Sequence, residues 1–138
     1  MIVELLKENN VGLNSLLEEC FSKKVENIDI EDALSKNVRF MVAKEDDEIV
    51  GSIMITTKYN PVRNTKEFYL DYVCVKESER GKGTGKNLLK EVEKLAKEEG
   101  VSRIEFTSST CRIAARNLYI SNGYIIRDTN MFYKDMVI

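Results

Sequence analysis

The sequence predicts a single α/β (α+β) domain in which a central mixed, mostly antiparallel twisted sheet carries helices on both faces. Three observations predict this class. Runs rich in β-branched and aromatic residues alternate with segments whose apolar residues repeat at helical spacing. Polar turns at 45–48 and 128–130 join strand-like runs into antiparallel hairpins. A strand–helix–strand unit over 68–107 has the length of a parallel crossover, and 138 residues suffice for one domain, 1–138.

Residues 1–37 predict a short strand followed by two helices. The apolar run Ile2–Leu6 is typical of a strand, and the pair Asn9-Asn10 predicts the turn that ends it. A helical apolar face is then formed by Leu13, Leu16, Leu17, Cys20 and Phe21. Asp29 predicts the N-cap of a second short helix, which we expect to stop at Asn37.

Residues 38–75 predict three strands of the sheet. The runs 38–44 and 49–57 are strand-like and are separated by the turn at 45–48. The segment 58–66 contains the only proline and predicts an exposed loop. The run 68–75, rich in aromatic and β-branched residues, predicts a buried strand.

The remaining chain predicts two helices and three strands. A helix is expected from about Thr84 to Gly100, where the glycine is a natural C-cap, and residues 101–107 predict the strand that follows. Ser109 or Thr110 is expected to cap the next helix, which ends near Gly123. The runs 124–127 and 131–137 predict two final strands.

Composition limits the classes of function. The chain has 43% apolar and 32% charged residues and a net charge of -2, which is typical of a globular protein and gives no broad basic field for nucleic acid. Charged residues appear too early for a signal peptide, and no apolar run approaches the length of a membrane span. We therefore expect a cytoplasmic monomer or homodimer, with no nucleic-acid or membrane partner.

The cysteine and histidine content further limits the catalytic mechanisms and metal sites that are possible. The three cysteines are scattered and odd in number, and histidine is absent. Structural disulfides and a zinc site are therefore not expected, and we expect no metal. Without histidine, Ser-His and Cys-His nucleophiles are excluded, so proton transfer must use Asp, Glu, Tyr, Lys, the backbone or water.

A glycine-rich loop lies between the strand at 68–75 and the helix that begins near Thr84. Three glycines at alternate positions permit positive φ and a close ligand. Free N–H groups and the positive end of the helix dipole favour an anion there. The sequence therefore predicts a phosphate-binding loop made of Arg80, Gly81, Lys82, Gly83, Thr84, Gly85 and Lys86. The alternative is a flexible basic turn that closes a strand-to-helix connection.

Two common phosphate loops do not fit this spacing. A P-loop would need glycine at Arg80 and Ser or Thr at Asn87. A dinucleotide fingerprint would need glycine at Lys86 or at Leu88. The pattern that remains is Arg-x-x-Gly-x-Gly, which ends at Gly85.

This pattern resembles the pyrophosphate-binding motif of the GNAT superfamily, the acyltransferases that use acetyl-coenzyme A (acetyl-CoA). The segment Ala115–Tyr124 is similar to the later motif of the family, Ala-x-x-Leu/x-Tyr-x-x-x-Gly-Phe/Tyr. The expected element order matches as well, so the resemblance covers nearly the whole chain. One departure is Arg112, which stands seven residues before Tyr119, where family members often have a cofactor-binding asparagine.

The resemblance implies a GNAT-like fold and an N-acetyltransferase that moves the acetyl group of acetyl-CoA to a primary amine of a small molecule or peptide, by direct attack in a ternary complex. An alternative is a non-catalytic acyl-CoA-binding sensor or interaction module; the presence of Tyr119 favours the enzyme. Besides the loop at 80–86, the implied cofactor-binding residues are Tyr119 and Arg112. The resemblance also implies a splayed, bulged strand just before the loop, whose backbone N–H groups at Val73, Cys74 and Val75 bind the acyl group.

The resemblance also implies two catalytic residues. Tyr119 would donate a hydrogen bond or proton to the departing sulfur; its alternative role is a core aromatic. Asp71 would assist deprotonation of the acceptor, and strand alternation predicts that Asp71, Val73 and Val75 share one face. Asp71 could instead bind the amine or be structural, and Glu67 is a weaker candidate base. Cys74 has no neighbouring base in the sequence, so we expect no acyl-enzyme.

Overall fold

A computed structural model describes residues 1–108 and 113–137, which form two compact units, Met1–Thr107 and Ser108–Ile138. The first unit holds a five-stranded sheet in the order β1-β2-β3-β4-β5. The first three pairings are antiparallel and β4–β5 is parallel. Its elements are β1 (Ile2–Leu5), α1 (Val11–Phe21), α2 (Ile30–Ser35), β2 (Val38–Glu45), β3 (Glu48–Asn60), β4 (Thr65–Val75), α3 (Thr84–Glu98) and β5 (Arg103–Glu105), with a 3-10 turn at Glu77–Glu79.

The helices cover both faces of this sheet. Leu13 and Leu17 of α1 and Ile30 of α2 pack in one core with Phe40 and Val42 of β2. On the opposite face, a Cβ added to Gly51 of β3 would lie 2.9 Å from Leu88 Cδ1 of α3. A mixed sheet with helices on both faces is the predicted fold class, which is confirmed.

Local capping signals set the helix ends. The side chain of Asn10 accepts a hydrogen bond from the Gly12 N–H at the start of α1, and Asp29 caps α2 through the Asp32 N–H. Gly100, at φ 69°, ends α3. The sequence predicted the caps at Asp29 and Gly100, whereas Asn10 belongs to the helix start and not to a separate turn.

Of the two antiparallel hairpins, the first turns where the sequence predicted and the second has a shorter loop than expected. Asp46 and Asp47 both have positive φ, 48° and 65°, as a tight two-residue turn requires. The loop predicted over 58–66 was too long, because β3 continues to Asn60 and β4 starts at Thr65. The ladder extends through Lys58, Tyr59 and Asn60, which pair with Glu67, Lys66 and Thr65 where a polar loop was expected.

An ion pair ties the end of α3 to the sheet. Arg39 of β2 donates from Nη1 and Nη2 to the two carboxylate oxygens of Glu99, at 2.7 and 2.8 Å. The guanidinium also lies over the ring of Phe68, 5.5 Å from its centroid. The hydrogen bond to Arg39 lowers the pKa of Glu99, and the same bond raises the pKa of Arg39.

The second unit contains one helix, α4 (Ile113–Ser121). Gly123, at φ 91°, ends it: its N–H donates to Ile120 O, and the Tyr124 N–H donates to Tyr119 O. These two bonds form a Schellman motif, and the rings of Tyr119 and Tyr124 make its apolar contact at 6.5 Å. The predicted capping residues Ser109 and Thr110 lie outside the described residues.

The two strands predicted for 124–127 and 131–137 are not formed. No residue from 124 to 137 belongs to a strand in the described structure. Ile125, Phe132 and Val137 keep the expected apolar pattern, yet each is more than 90% exposed. A strand requires a hydrogen-bonded partner, and none of the described segments pairs with this one.

Candidate functional site

A β-bulge interrupts β4 close to its end. Met54 pairs with Asp71 and Ser52 pairs with Cys74, so Tyr72 and Val73 together face the single residue Ile53. Tyr72 has φ 47°, in the left-handed region. This conformation costs a non-glycine residue about 1–2 kcal/mol, so the surrounding sheet must hold it in place.

The bulge reverses the side-chain alternation of β4. Asp71 pairs with Met54, which packs against the α1 core, whereas Val75 pairs with Gly51, which faces α3. Cross-strand partners share a face, so Asp71 lies on the α1 face and Val75 on the α3 face. The expected common face of Asp71, Val73 and Val75 was wrong, because the extra residue shifts the period by one.

Past the bulge, β4 has an edge that β5 does not cover. The parallel pairing with β5 is limited to Glu67, Phe68 and Tyr69. The Lys76 N–H donates to Val50 O of β3 at 2.7 Å, so alternation turns the Val75 peptide groups away from β3. Arg80 Nε meets the Val75 carbonyl on that side at 3.0 Å. By the same alternation the Val73 N–H points to this edge and the Cys74 N–H points to β3.

The glycine-rich loop follows this edge directly. Gly81 and Gly83 have φ 79° and 83°, and no atom lies within 4 Å of a Cβ added to either. Gly83 is the N-cap of α3, with no side-chain cap and no acidic residue in the first turn. The first N–H groups of α3 are therefore left for a ligand, and an anion is favoured there.

The cations of the loop differ in their contacts. Arg80 is exposed, and its bond to the Val75 carbonyl fixes the guanidinium between the β4 edge and the loop. Lys82 pairs with Glu79 at 3.3 Å, which offsets part of its charge. Lys86 lies exposed in the first turn of α3. The loop thus has the backbone geometry and the positive charge that a pyrophosphate requires.

Cys74 lies beneath the bulge in a buried position. Its Sγ is 3.4 Å from Ser52 Oγ, and the side chain is 6% exposed. Burial raises the pKa of the Cys74 thiol to about 12, with smaller effects from Ser52 and from Cys20. A thiol with such a pKa carries almost no thiolate at neutral pH, which agrees with the expectation that no acyl-enzyme forms.

The other candidate residues occupy different environments. Asp71 is exposed, and its Oδ1 accepts the Tyr72 N–H at 2.9 Å. Glu67 is 7% exposed and sits in register between Lys58 and Arg103, as a structural carboxylate does. In the second unit, Tyr119 is 7% exposed. Arg112 lies outside the described residues.

Sequence reasoning missed Tyr72 and Phe21 as residues of the site. Their rings meet edge to face, with centroids 5.2 Å apart at 85°. Phe21 ends α1 and gave only a core signal, while Tyr72 looked like one more aromatic residue of a strand. The bulge that exposes Tyr72 depends on the register of β3 and β4, for which the sequence has no local glycine or proline signal.

A separate groove of about 500 Å³ lies on the α3 face between β1 and the second half of α3. Val3, Met41 and Leu95 are among the residues that line it. None of the candidate site residues does, so the groove is distinct from the bulge and the glycine loop. Among the described residues, no cluster of acidic residues and cysteines is arranged to hold a metal ion.

Comparison with known proteins gives a consistent family signal. The model of the acetyltransferase (GNAT) family matches residues 4–124. N-acetyltransferase 8B of Rattus norvegicus is 26% identical over 98 residues, which are 71% of this chain and 43% of that protein. The mitochondrial amino-acid acetyltransferase of Laccaria bicolor is 32% identical over 76 residues, 55% of this chain and 13% of that protein. The chain thus spans less than half the length of these relatives.

Solved structures share the fold at low identity. An aminoglycoside acetyltransferase from an uncultured soil metagenomic sample superposes with a TM-score of 0.85 and 21% identity, over 99% of this chain and 96% of that one. Ribosomal-protein-alanine N-acetyltransferase from Brucella melitensis biovar Abortus 2308 gives 0.80 and 18%, over 99% and 100%. At such identities the likeness concerns the fold alone. No helix among the described residues is both long and apolar enough to cross a membrane.

Proposed function

The chain belongs to the GNAT acetyltransferase family, and from this premise we propose that it transfers the acetyl group of acetyl-CoA to a primary amine of a small molecule or peptide. The transfer is direct, in a ternary complex, and needs no metal. The observation that carries the proposal is the continuity of the bulged β4 edge with the glycine loop and the uncapped start of α3. A cytoplasmic location and a monomer or homodimer remain part of this proposal.

The residues of the loop fit the diphosphate of coenzyme A. The backbone at Gly81 and Gly83 is open, and side chains there would fill the space that a phosphate needs. The first N–H groups of α3 donate to the phosphate oxygens, and Arg80 and Lys86 add positive charge. Bound there, acetyl-CoA supplies the activated acetyl thioester.

The backbone N–H groups at the β4 edge stabilise the negative charge that develops on the thioester oxygen during transfer. When the amine attacks, the thioester carbonyl oxygen gains negative charge, which backbone donors stabilise. The N–H groups of Val73 and Val75 face the uncovered edge and are the donors that we assign to this oxygen. Cys74, whose amide faces β3, contributes its side chain to the α1 core instead.

Two side chains are assigned to the proton steps. Asp71 is a carboxylate on the exposed end of the bulge, where it accepts the proton of an entering ammonium directly or through water. Tyr119 is a phenol in the later motif and donates to the sulfur as it leaves. Arg112 is assigned to a phosphate of coenzyme A from the sequence resemblance.

Titration calorimetry with acetyl-CoA tests whether the loop binds the diphosphate. The test variant is Gly83→Val, because its side chain fills the open space at the centre of the loop. Gly100→Val is the matched control, because Gly100 also has positive φ and open space around its Cβ position. Both changes strain the backbone to a similar degree, about 1–2 kcal/mol. We expect affinity to fall at least tenfold in Gly83→Val alone. Equal affinities in two folded variants would remove the loop from the binding site.

A further inference from the structure

We propose that Phe21 and Tyr72 form an aromatic acceptor site beside Asp71, which selects primary amines carried on an aromatic or apolar group. This inference rests on the proposed function, because it concerns the second substrate of the same reaction. It deepens that function by naming a substrate class and by adding two specificity-determining residues.

The end of α1 is fixed against the bulged strand. Cys20 Sγ donates to Val75 O at 3.6 Å, and Glu19 Oε2 accepts the Glu77 N–H at 3.2 Å. These contacts hold the last turn of α1 over the bulge, next to the edge that we assign to the acetyl group. Phe21 is the last residue of that turn.

The aromatic pair joins a half-buried ring, Phe21, which packs against the α1 core, to an exposed ring, Tyr72, at the bulge. Tyr72 is 43% exposed, and its ring meets Phe21 edge to face at 5.2 Å. Its backbone has φ 47°, a conformation that asparagine and glycine adopt more easily than an aromatic residue. The contact with Phe21 holds the Tyr72 ring in place and leaves 43% of the residue exposed, so the ring offers an apolar surface that a ligand can cover.

The carboxylate of Asp71, next to Tyr72 in the sequence, indicates the charge of the ligand. Asp71 precedes Tyr72 directly, and its Oδ1 holds the Tyr72 N–H at 2.9 Å. An exposed carboxylate on the residue that precedes Tyr72 favours an ammonium group, and aromatic rings also attract ammonium through their π faces. The carbon skeleton next to the ammonium then rests on the rings. A hydroxyl-rich amino sugar would lose hydration there without gaining hydrogen bonds.

Binding of amines to the complex of the protein with coenzyme A, which has no acetyl group to transfer, tests this inference. The probes are 2-phenylethylamine and ethanolamine, two primary amines that differ in the group beside the amine. Calorimetry is carried out with the parent protein, Tyr72→Phe, Tyr72→Asn and Phe21→Leu. Tyr59→Asn is the control, because Tyr59 is an exposed tyrosine on β3 outside the site.

We expect the parent protein to bind 2-phenylethylamine about tenfold more tightly than ethanolamine, because both carry the same ammonium group and only the former has a ring that can pack against Phe21 and Tyr72. Tyr72→Phe and Tyr59→Asn keep this preference, Phe21→Leu reduces it, and Tyr72→Asn abolishes it without lowering the melting temperature. In turnover assays with acetyl-CoA, Tyr72→Asn raises KM for the aromatic amine more than it lowers kcat.

Equal affinities for the two amines, or a preference that survives in Tyr72→Asn, would overturn the aromatic site. Absence of binding by either amine would also overturn it. The proposed function is judged separately by acetyl-CoA binding, so a protein that binds acetyl-CoA but lacks the preference loses only this inference. Failure to bind acetyl-CoA would instead refute the proposed function itself.

Discussion

Asp71 and Val75 lie on opposite faces of the sheet, although their spacing of four residues would place them on one face of a regular strand. The bulge at Tyr72 keeps the carboxylate on the α1 face and moves the Val75 side chain to the α3 face. The backbone N–H of Val73 meanwhile lies along the strand edge. In the proposed reaction, an amine held by Asp71 would thus approach from one face an acetyl group whose oxygen is held at the edge.

The first prediction concerns Asp71→Asn, which keeps the shape of the side chain and removes its basicity. We expect turnover to fall most at low pH, where the amine is protonated and needs a base. At high pH the amine is already neutral in solution, so the protein need not deprotonate it. The measurement is kcat/KM for the acceptor across the pH range. An equal loss at every pH would assign Asp71 to amine binding only, and an unchanged rate would remove it from the site.

The second prediction concerns Tyr119→Phe. A phenol with a pKa near 10 can donate to a departing thiolate, and general acids typically contribute about 10²- to 10⁴-fold in rate. We expect kcat to fall by about that factor while acetyl-CoA affinity stays nearly constant. Tyr124→Phe is the matched control, since Tyr124 contacts Tyr119 in the same Schellman motif. Loss of affinity without loss of kcat would make Tyr119 a packing residue and favour the acyl-CoA sensor.

Local signals explain what the sequence predicted well. The hairpin turn at Asp46-Asp47, the cap at Asp29 and the glycine end of α3 each depend on a few neighbouring residues. The glycine loop was recognisable for the same reason. The phosphate-binding role that we propose for it depends on backbone conformation, which glycine spacing reveals, and on the start of a strongly amphipathic helix.

Long-range features explain what the sequence could not predict. The face of Asp71 is decided by the pairing of β4 with Met54 and Ser52, and a one-residue shift reverses it. The aromatic pair depends on where α1 ends over that bulge. The apolar runs at 124–127 and 131–137 were read as strands from their own residues, but a strand needs a partner that local sequence does not specify.

The third prediction concerns the ion pair between Arg39 and Glu99. Glu99→Gln replaces a charged partner by a neutral one, and for this partly exposed pair we expect a loss of about 1 kcal/mol in unfolding free energy at pH 7. The folded-state pKa of Glu99 is lowered, so its stabilisation is complete above the unfolded-state pKa. It declines as the pH falls through the folded-state value. Urea unfolding at pH 7 and pH 3 should show the difference shrinking.

Lys36→Gln provides the comparison for this measurement. Lys36 pairs with Asp32 on the surface of α2, and both side chains are more than half exposed. Such a pair contributes little to stability, so this variant should unfold nearly as the parent protein does at both pH values. A Glu99→Gln effect that is equally small, or that grows at pH 3, would contradict the stabilising role of the ion pair between Arg39 and Glu99.

The fourth prediction concerns Cys74 and the route of transfer. The pKa of about 12 keeps Cys74 a neutral thiol near pH 7 to 8, and the side chain is buried, so iodoacetamide should modify half-buried Cys20 before Cys74 in the folded protein. Peptide mapping follows both sites. We expect modification of Cys74 to become appreciable only on unfolding or at strongly alkaline pH, where the thiolate forms.

The same argument sets the outcome for Cys74→Ala. A direct transfer from acetyl-CoA to the amine requires no thiol of the protein, so kcat should stay within a few-fold of the parent value. Stability should fall modestly, because Ser52 loses its 3.4 Å contact in a buried position. Intact-protein mass spectrometry after mixing with acetyl-CoA alone should show no added acetyl group. An acetyl group on Cys74 together with an inactive Cys74→Ala variant would replace direct attack by a two-step route through the thiol.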